Sequence, residues 1–237
     1  MRVANRGRTM AVLTQSASAR LVTYLLPGGV PAAQGVRGIW TKQRGEIRSA
    51  PGARWMPFEA EEFIDATRSH FRWDARMGSH LLTSVHATDA YEDGRGCLVV
   101  KKGPIRIMHV EGPDSDKAEL QRYLAYVACC PAMLLNNRAL TLADDGPDTI
   151  RIQDAHADHD TWIDVHIAAD GTPLVMRATR PMLVGTKAVP TAWFATGSHP
   201  AVHEGLRLWH SKEASWHPPA GAFTYVRVEL TSVGIVR

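Results

Sequence analysis

Several things are missing from this 237-residue sequence, and each absence removes a class of function. No apolar run approaches the roughly 18 unbroken residues that a membrane-spanning helix needs. There are three cysteines, Cys97, Cys129 and Cys130, and no Cys-x-x-Cys pair. An odd number cannot complete a disulfide framework, and a bridge between the vicinal Cys129 and Cys130 would be a strained ring. Buried thiols in a reducing cytoplasm are the reading that remains. There is no phosphate-cradling GxxxxGK[ST], no GxGxxG after a strand, no GxSxG and no HExxH, so nucleotide, nucleophilic-serine and zinc-protease chemistries lose their usual carriers. Acidic residues are missing from one end. Residues 1–45 hold seven Lys/Arg and no Asp/Glu, which leaves 20 bases against 24 acids in the remainder. The net charge of +3 therefore belongs to a basic lead, and the slightly acidic body offers no groove for nucleic acid.

That lead does not read as a secretory signal. Gln15, Ser16, Ser18 and Arg20 interrupt the apolar stretch such a signal needs. An Arg- and Ser-rich start also suits an organellar transit peptide, but a short tail before an amphipathic helix fits the spacing of Leu13, Ala17, Arg20, Leu21, Tyr24 and Leu25. The expected layout is residues 1–34 as basic lead and helix, then 35–237 as one β-rich domain, with a cytoplasmic location.

The body alternates with the period of two that marks strands. In HFRWDARM, Phe71, Trp73, Ala75 and Met77 share a face. In LLTSVHATDAYEDGRG, Leu81, Thr83, Val85, Ala87, Asp89 and Tyr91 share another, ahead of a turn at Asp93-Gly94. TWIDVHIAADG puts Ile163, Val165 and Ile167 on one side, and LRLWHSKEASWH and FTYVRVELTSVGIV read as a closing hairpin around Pro218–Gly221. Turn spacing predicts roughly nine to eleven strands. One helix interrupts them, with Asp116 as N-cap, Glu119 completing a capping box, Leu120, Tyr123, Leu124 and Val127 on its apolar face, and Pro131 as its stop. The expected fold is mainly β: a curved antiparallel sheet, an open half-barrel, cupping this central helix, with a second helix at the N-terminus.

Eleven histidines invite a metal reading. Asp154, His156, Asp158, His159 and Asp160 form the densest group, but a polar loop between strands is expected there anyway. Pro200 argues against a helical site from His199, His203 and Glu204. No metal and no cofactor are expected. Trp209 and Trp216, seven residues apart, fall on opposite faces of a regular strand, so at most one enters a pocket. Ionisable residues on apolar elements carry the chemistry. Asp89, Tyr91, Glu119, Glu213, His217 and Tyr225 stand where burial would shift a pKa towards acid–base work. Glu213 shares a two-residue period with Trp209 and His217, suggesting an interior polar cluster.

The run AELQRYLAYVACCPAMLLNNRALTL resembles the central block of a bacterial family of uncharacterised proteins, with its Glu-Leu-x-Arg-Tyr-Leu helix followed by a proline. RGEIRSAPGARWMPFEAEEF, DAYEDGRG, VPTAW and GLRLWHSKEASWHPPAGAFTYVRVELTSV extend the resemblance over roughly residues 35–235. It implies a fold like the lipoprotein carriers, a LolA-like half-barrel around an apolar cavity. On matching positions Asp89, Tyr91, Glu119, Arg122, Tyr123, Trp193, Glu213 and Trp216 carry the family's polar and aromatic residues. Members commonly place a Glu and then a Trp after Arg-Tyr-Leu, whereas this chain has Tyr126 and Cys129-Cys130, so its pocket should differ there.

Two functions follow. The first is a cofactor-free cyclase, isomerase or lyase of bacterial specialised metabolism acting on a small, partly apolar molecule. Asp89 or Glu213 would move the proton, and Tyr91 or His217 would assist. Glu119, Arg122, Tyr123, Tyr126, Trp193, Trp216 and Tyr225 would bind the substrate, with Arg122 able to hold an anion. The alternative is a non-catalytic carrier or binder of a lipophilic ligand, by analogy of fold. In both the partner is a small apolar or amphipathic molecule, not nucleic acid. The oligomeric state is left open.

Overall fold

In a computed structural model, residues 15–78 and 84–237 are described. Leu13, the arginines at 2, 6 and 8, Leu81 and Thr83 lie outside them. The chain opens with two helices, α1 (Ala17–Leu25) and α2 (Gly29–Ala33). Ser16 caps α1, its hydroxyl accepting from Ala19 N at 3.2 Å. Ala17, Leu21 and Leu25 turn inward into the core, as the spacing predicts.

Six strands then run as a meander: β1 (Gly38–Ile47), β2 (Met56–Asp65), β3 (Phe71–Met77), β4 (Val85–Glu92), β5 (Arg95–Lys102) and β6 (Ile105–Val110). A helical segment follows, α3 (Pro113–Leu124), a tight turn over Ala125–Ala128 and α4 (Met133–Asn136). Seven more strands complete the chain: β7 (Leu140–Asp144), β8 (Thr149–Asp154), β9 (Trp162–Ile167), β10 (Pro173–Val184), β11 (Lys187–His203), β12 (Leu206–His217) and β13 (Phe223–Val236).

The first and last strands of the set pair with each other, β1 against β13. The two meanders thereby fuse into one antiparallel sheet of thirteen strands, with β6 and β7 at its edges. The sheet curls into a half-barrel. Irregularities at Lys42/Gln43 and Ala214/Ser215 lie beside the central seam, where bulges add bend and twist. The helical segment bridges the edges through the hollow. α3 packs against β4 and β5 of one meander and β8, β9 and β10 of the other. Residues Val127 to Met133 are buried almost completely.

The pattern of β3 holds residue by residue, β9 buries Ile163, Val165 and Ile167 as expected but Asp164 as well, paired with Arg151, and Asp93 and Gly94 adopt φ of 48° and 81°, the left-handed turn that Asp-Gly favours. Three expectations need correction. Thirteen strands are present among the described residues, because the closely spaced β5–β6 and β7–β8 hairpins read as fewer. α3 starts at Pro113 after Gly112 (φ 106°), so Asp116 lies within its first turn, not at its cap. There the Asp116 carboxylate accepts from Gly96 N at 2.7 Å and ties the helix to β5. The approach is so close that a Cβ on Gly96 would stand 2.2 Å from Ser115 O. Finally, α3 ends at Leu124, before Pro131 could stop it. Among the described residues no helix is long and apolar enough to cross a membrane.

Candidate functional site

Between the concave sheet and α3 lies a cavity of about 400 Å³, within the size range of small-molecule sites. Trp73, Met77 and Val100 wall it from one meander, and Trp193, Trp209 and Trp216 from the other. Trp193 Nε1 donates to the Tyr225 hydroxyl at 3.1 Å, and Trp216 stacks on Tyr225 with ring centres 5.7 Å apart. A larger, more open trough of about 1010 Å³ is lined by Arg44, Glu46, Arg227 and Glu229. Its charges already pair with one another, Arg44 with Glu229 at 2.6 Å and Arg227 with Glu46 at 3.0 Å. Paired, solvated charges of this kind contribute little, so the enclosed cavity is the better site.

One end of the cavity is ionic. Glu62, on β2, is 1% exposed. It accepts from Tyr126 Oη, from Gln43 Nε2 at 2.5 Å, from Lys212 Nζ at 3.2 Å and from Arg122 Nη2 at 3.4 Å. Burial pushes its carboxyl up, but the charges of Lys212 and Arg122 and the Tyr126 hydrogen bond together outweigh that and hold it below its ordinary value. Arg122 projects from α3 over the rings of Phe71 and Trp73, 4.8 and 5.3 Å away. It donates through Nε to Tyr126 Oη at 2.6 Å and through Nη1 to Asp89, and lies 4.0 Å from Glu119. Glu119 is one α3 turn before it, with Arg180 3.8 Å away. Burial first, and then the charge of Asp89, push the Glu119 carboxyl up to about 8. Arg180 donates to Ala118 O at 2.6 Å and stacks over Trp193 at 4.6 Å. Asp89 Oδ1, Glu119 Oε2 and Arg180 Nε are buried with no hydrogen-bond partner.

The residues singled out from the sequence divide into two sets. Asp89, Glu119, Arg122, Tyr126, Trp193, Trp216 and Tyr225 all line this cavity. The others do not join its ionic end. Tyr91 is buried beneath α3, and burial, then the charge of Asp154, raise its phenol to about 12. Tyr123 is fully buried and donates to Asp65 O at 3.0 Å, a structural pin. Glu213 borders the cavity, but its carboxylate is half exposed, 3.7 Å from Arg227, and takes no part in the ionic end. His217 is exposed against Phe194. The interior cluster expected of Glu213, Trp209 and His217 therefore does not form. Both Trp209 and Trp216 reach the cavity, against the rule of alternation. Leu208 and Trp209 are buried in succession, where the facing strand is kinked at His199 (φ 51°). The Trp209 ring covers Gly197, whose added Cβ would lie 1.9 Å from it.

The histidine-rich loops do not converge. Asp154 accepts from Ser69 Oγ and from His156 N, and Asp160 pairs with Lys117. Among the described residues, the one group of three potential metal ligands is Cys97, His109 and Glu111, within 4.8 Å of one another beside the β6 edge and outside the cavity. Sequence reasoning missed Glu62, Lys212, Gln43 and Arg180. Parity was the available signal: Glu62 alternates with Phe58, Ala60 and Ile64, and Lys212 with Ala214 and Trp216.

Residues 21–228 match a family described as a family of unknown function, DUF6544, and the chain belongs to that family. No curated protein matches the sequence. Among solved structures the chain is similar to a LolA superfamily protein from Nitrosomonas europaea and to a DUF1329 family protein from Desulfovibrio piger. For each the identity is 6%, the TM-score 0.49, and 94% of both chains is covered. The half-barrel shows in the single antiparallel sheet and in α3, which touches strands of both its meanders.

Proposed function

We propose that this member of the DUF6544 family is a non-catalytic binder or carrier of a lipophilic molecule, which lodges in the half-barrel with its apolar body against the tryptophan wall. The observation that carries this reading is the cavity of about 400 Å³ walled by Trp73, Trp193, Trp209 and Trp216 and closed at one end by a ring of buried charge. Apolar walls with a few convergent polar groups are the common form of a small-molecule site. The acid–base reading drew on Glu213 and His217 beside Asp89; His217 is exposed outside the cavity, and Glu213, at its border, is half exposed and 3.7 Å from Arg227, so no reaction is assigned. The free Cys97, Cys129 and Cys130 support a reducing compartment such as the cytoplasm.

The test is direct. Native mass spectrometry of the purified protein should show a small organic species that organic extraction removes. The extracted protein should bind a neutral apolar probe, N-phenylnaphthylamine, with quenching of tryptophan fluorescence. Ala214 lines the cavity and is 8% exposed, so Ala214→Phe should fill the space and abolish probe binding in a folded protein. Absence of both a co-purifying species and probe binding would end the proposal.

A further inference from the structure

We infer that the ligand is an anionic amphiphile, an apolar chain ending in a carboxylate, and that Arg180 receives its head. This rests on the binder reading above and adds the chemical class of the ligand.

The argument is a charge balance at the ionic end of the cavity. Three acids, Glu62, Asp89 and Glu119, meet three cations, Arg122, Arg180 and Lys212. They arrive on β2, β4, α3, β10 and β12. Glu62 is fully served by Gln43, Tyr126, Lys212 and Arg122. Asp89 and Glu119 are not. Both lean on Arg122, each leaves one buried oxygen without a donor, and the two carboxyl groups are within hydrogen-bonding reach of each other. Burial and the nearby Asp89 charge keep a proton on Glu119, and that proton, held between the two carboxyl groups, gives both a partner. The raised pKa of Glu119 agrees with this.

With that proton in place, two negative charges face three positive ones. The excess falls on Arg180. Asp89 and Glu62 crowd Arg122, and Lys212 has Glu62, whereas Arg180 has only Glu119 at 3.8 Å. Arg180 is 4% exposed, and one nitrogen is committed to Ala118 O while its Nε has no acceptor. A buried cation without a counter-charge is costly, and a carboxylate entering the cavity would supply both the acceptor and the charge. An alcohol would supply only the acceptor, and an ammonium group would be repelled. Trp193 and Trp216 flank the guanidinium at 4.6 and 5.8 Å, so a head at Arg180 lays the chain along the aromatic wall.

Titration calorimetry at neutral pH with dodecanoate, dodecan-1-ol and dodecylammonium, each kept monomeric, tests this. A charge-assisted hydrogen bond in a buried site predicts dodecanoate about ten- to a hundredfold tighter than the alcohol, and no preference for the amine. Arg180→Met should erase the difference while alcohol binding persists, and Arg180→Lys, which keeps the charge, should retain carboxylate preference even if the methionine variant fails to fold. Alcohol or amine binding as tightly as carboxylate, or a preference that survives Arg180→Met, overturns the inference and leaves the binder reading standing. Failure of all three compounds to bind overturns both.

Discussion

Replacing Glu119 by Gln isolates the proton held in the cavity. The side chain is 12% exposed and faces Asp89, with Arg122 and Arg180 beside it. Its ordinary pKa of 4.5 is raised to about 8 by burial and by the charge of Asp89. In the unfolded chain the group ionises above its ordinary pKa, while in the folded protein it stays neutral until the raised one. Folding therefore takes up a proton across this window. Glu119's contribution to stability is complete below the lower pKa and is lost as pH rises to the upper one. Each pH unit costs about 1.4 kcal/mol, so the whole window is worth on the order of 5 kcal/mol. The neighbours do not blur it. Glu62 is held below its ordinary value and Lys212 above its own. Gln mimics the protonated acid and cannot ionise. Urea unfolding followed by tryptophan fluorescence should show the two proteins nearly equal at about pH 5, and the variant more stable by about 2–5 kcal/mol at about pH 9. Parallel stability profiles would refute the shared proton, and a less stable variant at high pH would reverse its sign.

Three further outcomes follow from packing and charge. Glu62→Leu strips Lys212 and much of Arg122 of their counter-charge and should cost about 3–5 kcal/mol in urea unfolding; a loss near zero would mean these cations reach solvent. In the wild type, Glu62's own contribution should disappear as pH falls through its depressed pKa, below 4.5. Gly197→Ala must displace the Trp209 ring, which should cost about 1–3 kcal/mol and alter near-ultraviolet circular dichroism; an unchanged spectrum would count against the contact. Leu21→Ala empties a fully buried position on α1 and should cost about 2–5 kcal/mol; a loss under about 0.5 kcal/mol would show α1 undocked.

The legible part of this fold was its alternation. Phe71 to Met77 and Ile163 to Ile167 announce which face is inside because a strand's side chains have a period of two, the β12–β13 hairpin has the bounds its segments predict, and α1 ends at Leu25, the last residue of its predicted spacing. The illegible part depends on irregularity and on distant pairing. The kink at His199 lets Trp209 into the cavity beside Trp216, and no local pattern on β12 announces a kink in β11. Choosing Trp209 as the guide to parity put Glu213 and His217 inside, whereas Glu213 only borders the cavity, half exposed, and His217 lies outside it. Choosing Trp216 would have put Lys212 inside, which is where the structure has it. Glu62 was passed over because Glu59, Glu61 and Glu62 crowd one stretch, and an acidic run suggests solvent. Its neighbours Ala60 and Ile64 carried the contrary signal.

The ionic end of the cavity is where the function should be sought, because it works against stability. A half-barrel holding plain hydrocarbon needs only apolar walls, and replacing buried ion pairs by well-packed apolar groups is commonly neutral or stabilising. This chain instead spends five elements of its fold to bring six ionisable side chains together, and leaves Asp89 Oδ1, Glu119 Oε2 and Arg180 Nε without hydrogen-bond partners. Specificity of folding alone does not explain the remainder, since Glu62 with Gln43, Tyr126, Lys212 and Arg122 already forms a closed, satisfied set. Asp89 and Glu119 answer each other through the proton on Glu119, which leaves Arg180 Nε as the open group, and a group left open in a buried place acquires its partner from whatever enters. Tyr126 and Cys129 belong to the closed set: Tyr126 bridges Arg122 and Glu62, and Cys129 lies against Lys212. They build the support beneath the head-group position, while Arg180 with Trp193 and Trp216 forms the position itself.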